Sequence, residues 1–188
     1  MALKSTVYKA TLAIADMDRG YYADHALTIA RHPSENDERM MMRLLAFVLH
    51  ANERLAFGKG LSDPDEPDLV ERDLTGAVLH WIEVGQPDER AIRKACGKAD
   101  RVTVMAYSST TPIWWGGIEG ALMRQRNLSV LSVPQEQSLE LAGLAQRTMH
   151  LQCSVQERSV WIGDASRQVQ LDVGTLMAPR DEAPRSRG

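Results

Sequence analysis

The sequence predicts an α/β protein built around a mixed β-sheet, and three patterns carry that prediction. The first thirty residues alternate apolar and polar side chains, the period of a half-buried strand. One later stretch, residues 35–56, repeats its apolar residues at helical spacing instead. From there to residue 146 short strand-like and helix-like runs take turns, the order expected when helices cover a sheet that includes parallel strands.

In chain order, residues 5–15 place Tyr8, Ala10, Leu12 and Ile14 on one face, and residues 21–30 place Tyr21, Ala23, Leu27 and Ile29 on one face. Asp16–Gly20 between them has turn chemistry, so the two runs read as an N-terminal β-hairpin. Ser34, with Asp37 three residues on, forms a loose capping box for the helix 35–56. Its apolar face is Met41, Leu44, Leu45, Val48, Leu49 and Leu55. Gly58 and Gly60 end it, and 61–67 is a loop.

Strands over 68–72 and 77–84 are joined by a hairpin turn at Asp73–Gly76. Pro87 and Asp88 suit the start of a helix over 88–96, with Gly97 behind it. A strand over 101–107, a helix over 115–126, a strand over 128–133 and a helix over 135–146 follow. Runs at 149–156, 158–163 and 167–173 read as a C-terminal antiparallel meander. One domain is expected over 1–177, with a charged, Pro-rich tail from 178 to 188 expected to be disordered.

Composition narrows the function classes. The chain has 188 residues, 44% hydrophobic and 25% charged, enough for one real core. Its formal net charge of −3 argues against a domain that coats nucleic acid by bulk charge, and leaves a local basic patch open. Cys96 and Cys153 belong to no CxxC pair, so a structural zinc site is not expected. No run approaches the ~20 apolar residues of a membrane span, and the alternating start is not a signal-peptide core, so no membrane association and a cytoplasmic location are expected.

The chemistry centres on two acids. Asp68 opens the first strand of the central hairpin, and Glu83 lies near the end of the second. Converging carboxylates make a hard oxygen pocket suited to Mg²⁺ or Mn²⁺, and such an ion can activate water against a phosphodiester. Glu38 sits one turn into the long helix on its inward side, placed to add a third oxygen ligand. Acids are also favourable in any first helical turn, and strand-end acids commonly pair with an arginine such as Arg72. Lys94 and Lys98, four apart, share a helix face. With Arg90 and Arg93 they make a short basic strip suited either to solvent or to phosphate.

Other features read as structural. The five histidines show no metal-ligand spacing, and His80 lies on the strand face opposite Glu83. Met40-Met41-Met42 is helix packing. Trp114-Trp115 reads as a loop anchor or a partner surface, with base stacking as the alternative.

Pro67-Asp68 followed by Glu83-Val84-Gly85 resembles the PD-(D/E)XK nuclease motif. The stretches HPSENDERMMMRLLAF (32–47), DEPDLVERDLTG (65–76) and WIEVGQPDERAIRKACGKADRV (81–102) resemble the YaeQ family of bacterial proteins over nearly the whole chain. The resemblance implies a restriction-endonuclease-like core with an N-terminal hairpin and a C-terminal antiparallel extension. It implies Asp68 and Glu83 as metal ligands, with Glu38 assisting. It also implies either a metal-dependent nuclease or a non-catalytic module that binds nucleic acid or the transcription machinery.

The motif departs at one position. It wants lysine two residues after the second acid, and position 85 is glycine. Lys94 or Lys98 would have to supply that charge, Lys94 preferred as nearer the helix start. Gln86 is a candidate to orient a water or touch a phosphate.

Overall fold

The computed structural model describes residues 4–59, 61, 63 and 65–180. The N-terminal hairpin forms as the alternation requires. β1 (Thr6–Asp16) and β2 (Tyr21–Arg31) pair antiparallel from Thr6↔Arg31 to Asp16↔Tyr21, with Gly20 at positive φ in the turn. Tyr8, Ala10, Leu12 and Ile14 all point into the core.

The long helix is shorter than its spacing suggests: α1 runs over Asp37–His50. Asn36, not Ser34, caps its start by accepting from the Arg39 amide at 2.8 Å, while Ser34 hydrogen-bonds His32 Nδ1. Its end is set from outside. Arg19, in the β1–β2 turn, donates to the carbonyls of Ala51 (2.9 Å) and Val48 (3.4 Å), satisfying groups the helix leaves free. Asn52 then accepts from the Arg54 and Leu55 amides and turns the chain into β3 (Leu55–Phe57), a strand the helical spacing concealed.

Every residue from Met40 to Val48 is buried. A helix buried all round must be covered on both sides, and this one lies between two sheets: its core cluster contains Leu12, Ile29 and Leu151 from one and Leu69, Ile82 and Met105 from the other.

The central sheet has six strands, in the order β11 (Gly174–Met177), β7 (Leu128–Val133), β6 (Arg101–Tyr107), β5 (Val78–Val84), β4 (Leu69–Arg72) and β3. β5, β6 and β7 run parallel; β3, β4 and β11 pair antiparallel, so the sheet is mixed. α2 (Glu89–Lys98) and α3 (Thr111–Leu122) cover its outer face, where Trp81, Ile92, Val104, Trp115 and Val130 form a second core. α3 starts four residues before the predicted helix because Pro112 suits its first turn. α4 (Gln135–Ala142) is correspondingly shorter than predicted and packs on α1.

The expected C-terminal meander is present as β8 (Thr148–Gln156), β9 (Ser159–Gly163) and β10 (Gln168–Asp172). It does not extend the central sheet. β8 pairs parallel with β1, making a separate five-stranded sheet, β10-β9-β8-β1-β2. β11 (Gly174–Met177), unforeseen in the sequence, then crosses back to the edge of the six-stranded sheet beside β7. Of the tail expected to be disordered, residues 181–188 lie outside the described residues; the Arg180 amide donates to the Arg126 carbonyl. Among the described residues no helix is long and apolar enough to cross a membrane.

Candidate functional site

The β4–β5 ladder pairs Leu69 with Ile82, so its continuation sets Asp68 opposite Glu83. The two predicted acids therefore do meet. The Asp68 amide donates to the Ile82 carbonyl at 3.0 Å, and its own carbonyl accepts from Gly58. Gly58 is required there, because a Cβ would stand 2.0 Å from the Pro67 carbonyl oxygen. Asp68 is 1% exposed, and its Oδ2 accepts from the Val84 amide at 2.8 Å.

Glu83 accepts from Trp81 Nε1 at 2.8 Å and faces Asp68 across the ladder. Burial, and then the neighbouring Asp68 charge, push the Glu83 carboxyl up to about 7. Half of the pair thus holds its proton close to neutrality.

The cation at this pair is one the sequence reading did not single out. Arg39, from the first turns of α1, donates through one terminal nitrogen to both oxygens of Asp68, at 2.8 and 3.0 Å, and to the Val84 carbonyl. Its other terminal nitrogen donates to Glu35 at 2.6 Å. Glu35 also accepts from Arg43 at 2.5 Å, so a chain of ion pairs runs Arg43–Glu35–Arg39–Asp68, with Glu83 facing its last member. Burial disfavours the Arg39 charge, but Asp68 and Glu35 outweigh it and raise its pKa above the ordinary arginine value. The sequence did carry a signal for this chain: ionisable residues at 35, 39 and 43 repeat every four positions from just before the helix into its second turn.

The remaining predicted residues go elsewhere. Glu38 accepts from Ser138 Oγ at 2.6 Å, tying α1 to α4. Lys94 pairs with Asp65 at the surface. Lys98 lies 5.7 Å from the Trp81 ring centre, a cation–π contact. Gln86 links the two loops that follow β5 and β6, donating to Thr110 at 3.0 Å and Thr111 at 3.4 Å. Ser108 and Thr110 hydroxyls hydrogen-bond each other beside it at 2.8 Å.

Gly85 has φ +109°, a conformation lysine adopts only with strain, although nothing lies within 4 Å of a Cβ built there. The backbone, not lack of room, thus accounts for the missing motif lysine.

As arranged, these donors do not complete a site for Mg²⁺ or Mn²⁺. Both Asp68 oxygens are engaged by Arg39, Glu38 is committed to Ser138, and no group of three or more Asp, Glu, His or Cys side chains converges among the described residues. His80, as expected, is turned away. It bonds Thr103 at 2.8 Å and meets His50 edge-on at 4.9 Å.

Fold and site together define a class: a two-sheet α/β protein that carries a pair of facing carboxylates, the buried one clamped by an arginine, at one end of its mixed sheet. Within that class the chain belongs to the YaeQ family, whose model, described as YaeQ protein, matches residues 1–173. It is similar to a Salmonella typhi protein described as "Uncharacterized protein YaeQ", 44% identical over 180 residues, covering 95% of this chain and 99% of the relative. The Escherichia coli K12 protein of the same description is 42% identical over the same shares of the two chains. The crystal structure of the YaeQ protein from Xanthomonas axonopodis pv. citri superposes with a TM-score of 0.91 at 46% identity, covering 93% of this chain and 99% of that one. That of the Pseudomonas syringae YaeQ protein gives 0.89 at 41% identity, over 94% and 98%.

Proposed function

We propose that this chain is a non-catalytic nucleic-acid-binding module on a restriction-endonuclease-like PD-(D/E)XK core. The observation that carries this reading is the Arg39 clamp. A guanidinium occupies both oxygens of Asp68, the position a catalytic cation would need. The helix–strand–strand–helix–strand order around Asp68 and Glu83 supports the nuclease-like ancestry. The ligand surface is the set of loops at the carboxyl ends of the parallel strands, where ligands of open α/β sheets commonly bind. There Gln86, Ser108, Thr110 and Thr111 offer hydroxyls and an amide beside the exposed basic strip of α2. Such groups contact phosphate and sugar without reading sequence.

Fluorescence anisotropy with single- and double-stranded DNA and RNA tests this reading, alongside cleavage assays in Mg²⁺ and Mn²⁺. Salt-dependent binding without cleavage is expected. Cleavage that disappears in Asp68→Ala would overturn it. Binding only to a protein of the transcription machinery would move the partner from nucleic acid to protein.

One observation favours a metal-dependent nuclease as the second reading: Glu83 faces Asp68 with its carboxyl raised to about 7, as carboxylates placed to share an ion commonly are. A divalent ion would take that pair only by displacing Arg39. Calorimetric Mn²⁺ binding that strengthens in Arg39→Ala and vanishes in Asp68→Ala is the result this reading requires.

A further inference from the structure

β2 is an edge of the five-stranded sheet, and among the described residues no strand pairs with its outer side. The direction of its backbone groups follows from its neighbour. The Lys9 amide donates to the Arg147 carbonyl at 2.9 Å, toward β8, so Lys9 turns its backbone away from β2. Thr28, opposite Lys9 in the hairpin, therefore sits in a non-hydrogen-bonded pair and aims its own N–H and C=O outward. By alternation Tyr22, Asp24, Ala26 and Ala30 do the same. The Ala30 carbonyl agrees, since it accepts from Arg43 at 3.0 Å.

Sheet edges are commonly blunted by proline, lysine, a bulge or a covering segment. The opposite edge, β10, meets α4, where Gln137 accepts from the Asp172 amide at 2.7 Å and donates to its carboxylate at 3.0 Å. β2 has no such device along its length. Its eleven residues pair with β1 without a register shift, and neither proline nor lysine occurs between Tyr21 and Arg31.

The side chains on the solvent face complement one another only between two copies. Tyr22 is 65% and Val7 46% exposed. Val7 lies opposite Ala30, eight residues along β2 from Tyr22, so the two stand about 27 Å apart within one chain. Exposed Asp24 and Lys9 are separated in the same way, because Lys9 lies opposite Thr28. A two-fold axis at Ala26 reverses the order. It sets Tyr22 of one copy opposite Ala30 of the other, and Asp24 opposite Thr28. Ala30 and Thr28 are small, so Tyr22 reaches over Ala30 to Val7 one strand further on, and Asp24 reaches over Thr28 to Lys9. The same register pairs the outward backbone groups of both copies.

We infer that β2 is a self-association edge, to which a second copy of this chain adds its own β2 antiparallel with Ala26 facing Ala26, joining the two five-stranded sheets into one. Such a contact is isologous, each copy offering the same strand. It is also small, so the dimer is expected to form in the micromolar range. The edge belongs to the sheet on the far side of α1 from α2, and the contact does not depend on nucleic-acid binding.

Sedimentation equilibrium of the full chain over about 1–200 µM tests the inference, and a reversible monomer–dimer equilibrium is expected. Ala26→Pro removes an N–H that β1 does not use and places a ring on the axis, so the dimer should be lost; thermal unfolding monitors its folding. Asp24→Lys, an exposed substitution, meets Lys9 of the second copy with a like charge and should weaken the dimer about tenfold. Adding Lys9→Asp to that variant should restore it. A chain that stays monomeric over the whole range overturns the inference and leaves the edge to a strand of another protein. A dimer that Asp24→Lys leaves unchanged, or a loss that Lys9→Asp does not reverse, overturns it as well.

Discussion

The molecule treats two of its groups of buried ionisable side chains in opposite ways. On one side of α1, Arg43, Glu35, Arg39 and Asp68 alternate in sign, and each link is a hydrogen-bonded ion pair. At the end of the same helix, His50 meets His80, and among the described residues no acid is hydrogen-bonded to either ring. His80 has only the Thr103 hydroxyl, and His50 Nε2 is buried without a partner. Burial, followed by neighbouring positive groups, pushes His50 down to about 3 and His80 to about 2. Charge survives burial where an opposite charge is in reach, and elsewhere the group gives up its proton. Glu83 stands between the two cases. It is half-buried beside a like charge and holds its proton until about pH 7.

The largest effect expected from breaking this contrast comes from Glu35→Ala. It would leave the buried Arg43 guanidinium without its counter-ion and lower stability by about 3–5 kcal/mol, read by urea unfolding. The histidine pair should respond to pH instead. Both folded values lie below the ordinary histidine value, so the unfolded chain binds more protons below about pH 6.5. The histidine contribution is complete above that pH and falls as pH drops toward 3, by about 1.4 kcal/mol per pH unit for each ring. His80→Gln should flatten that acid limb in a pH series of denaturation curves.

Glu83 has the opposite sign. Its folded value is raised, so its contribution is complete below about pH 4.5 and is lost as pH rises through about 7. In Asp68→Asn the Glu83 carboxyl resonance, followed by carbon NMR, should titrate nearer the ordinary glutamate range; an unmoved midpoint would show that burial alone sets it. A smaller effect is expected from Gly85→Lys. Restoring the motif lysine forces a positive φ on a side-chain-bearing residue, lowering stability by about 1–3 kcal/mol. If this variant gains nuclease activity, Arg39 is not the cation that matters. The smallest effect belongs to Lys94→Ala. Its pair with Asp65 is at the surface, and the unfolding midpoint should not move measurably.

Much of the fold was legible because it is local. β6 and β7 occupy the predicted ranges 101–107 and 128–133, and the inward faces of β1 and β2 are those the alternation named. The opposition of Asp68 and Glu83 was legible for the same reason, since a hairpin turn joins strands of known length. Three features were not. β3 was absorbed into the helix, because Leu55 continues the apolar spacing of α1, which the Arg19 cap and the Asn52 turn stop. β11 was missed because Gly174–Met177 is four mostly exposed residues at a sheet edge. The fate of Glu38 depended on Ser138, a hundred residues away.

By itself the sequence determined the periodicities: which residues alternate, which repeat every turn, and therefore which two acids face each other across a hairpin. The tertiary structure alone decided that the N-terminal hairpin and the C-terminal meander share a sheet, that α1 is buried on every side, and that Arg39 reaches Asp68. The physical reason is range. Strand and turn preferences act over a few residues, whereas a buried charge is assigned to whichever partner the packing of distant segments brings within hydrogen-bonding distance.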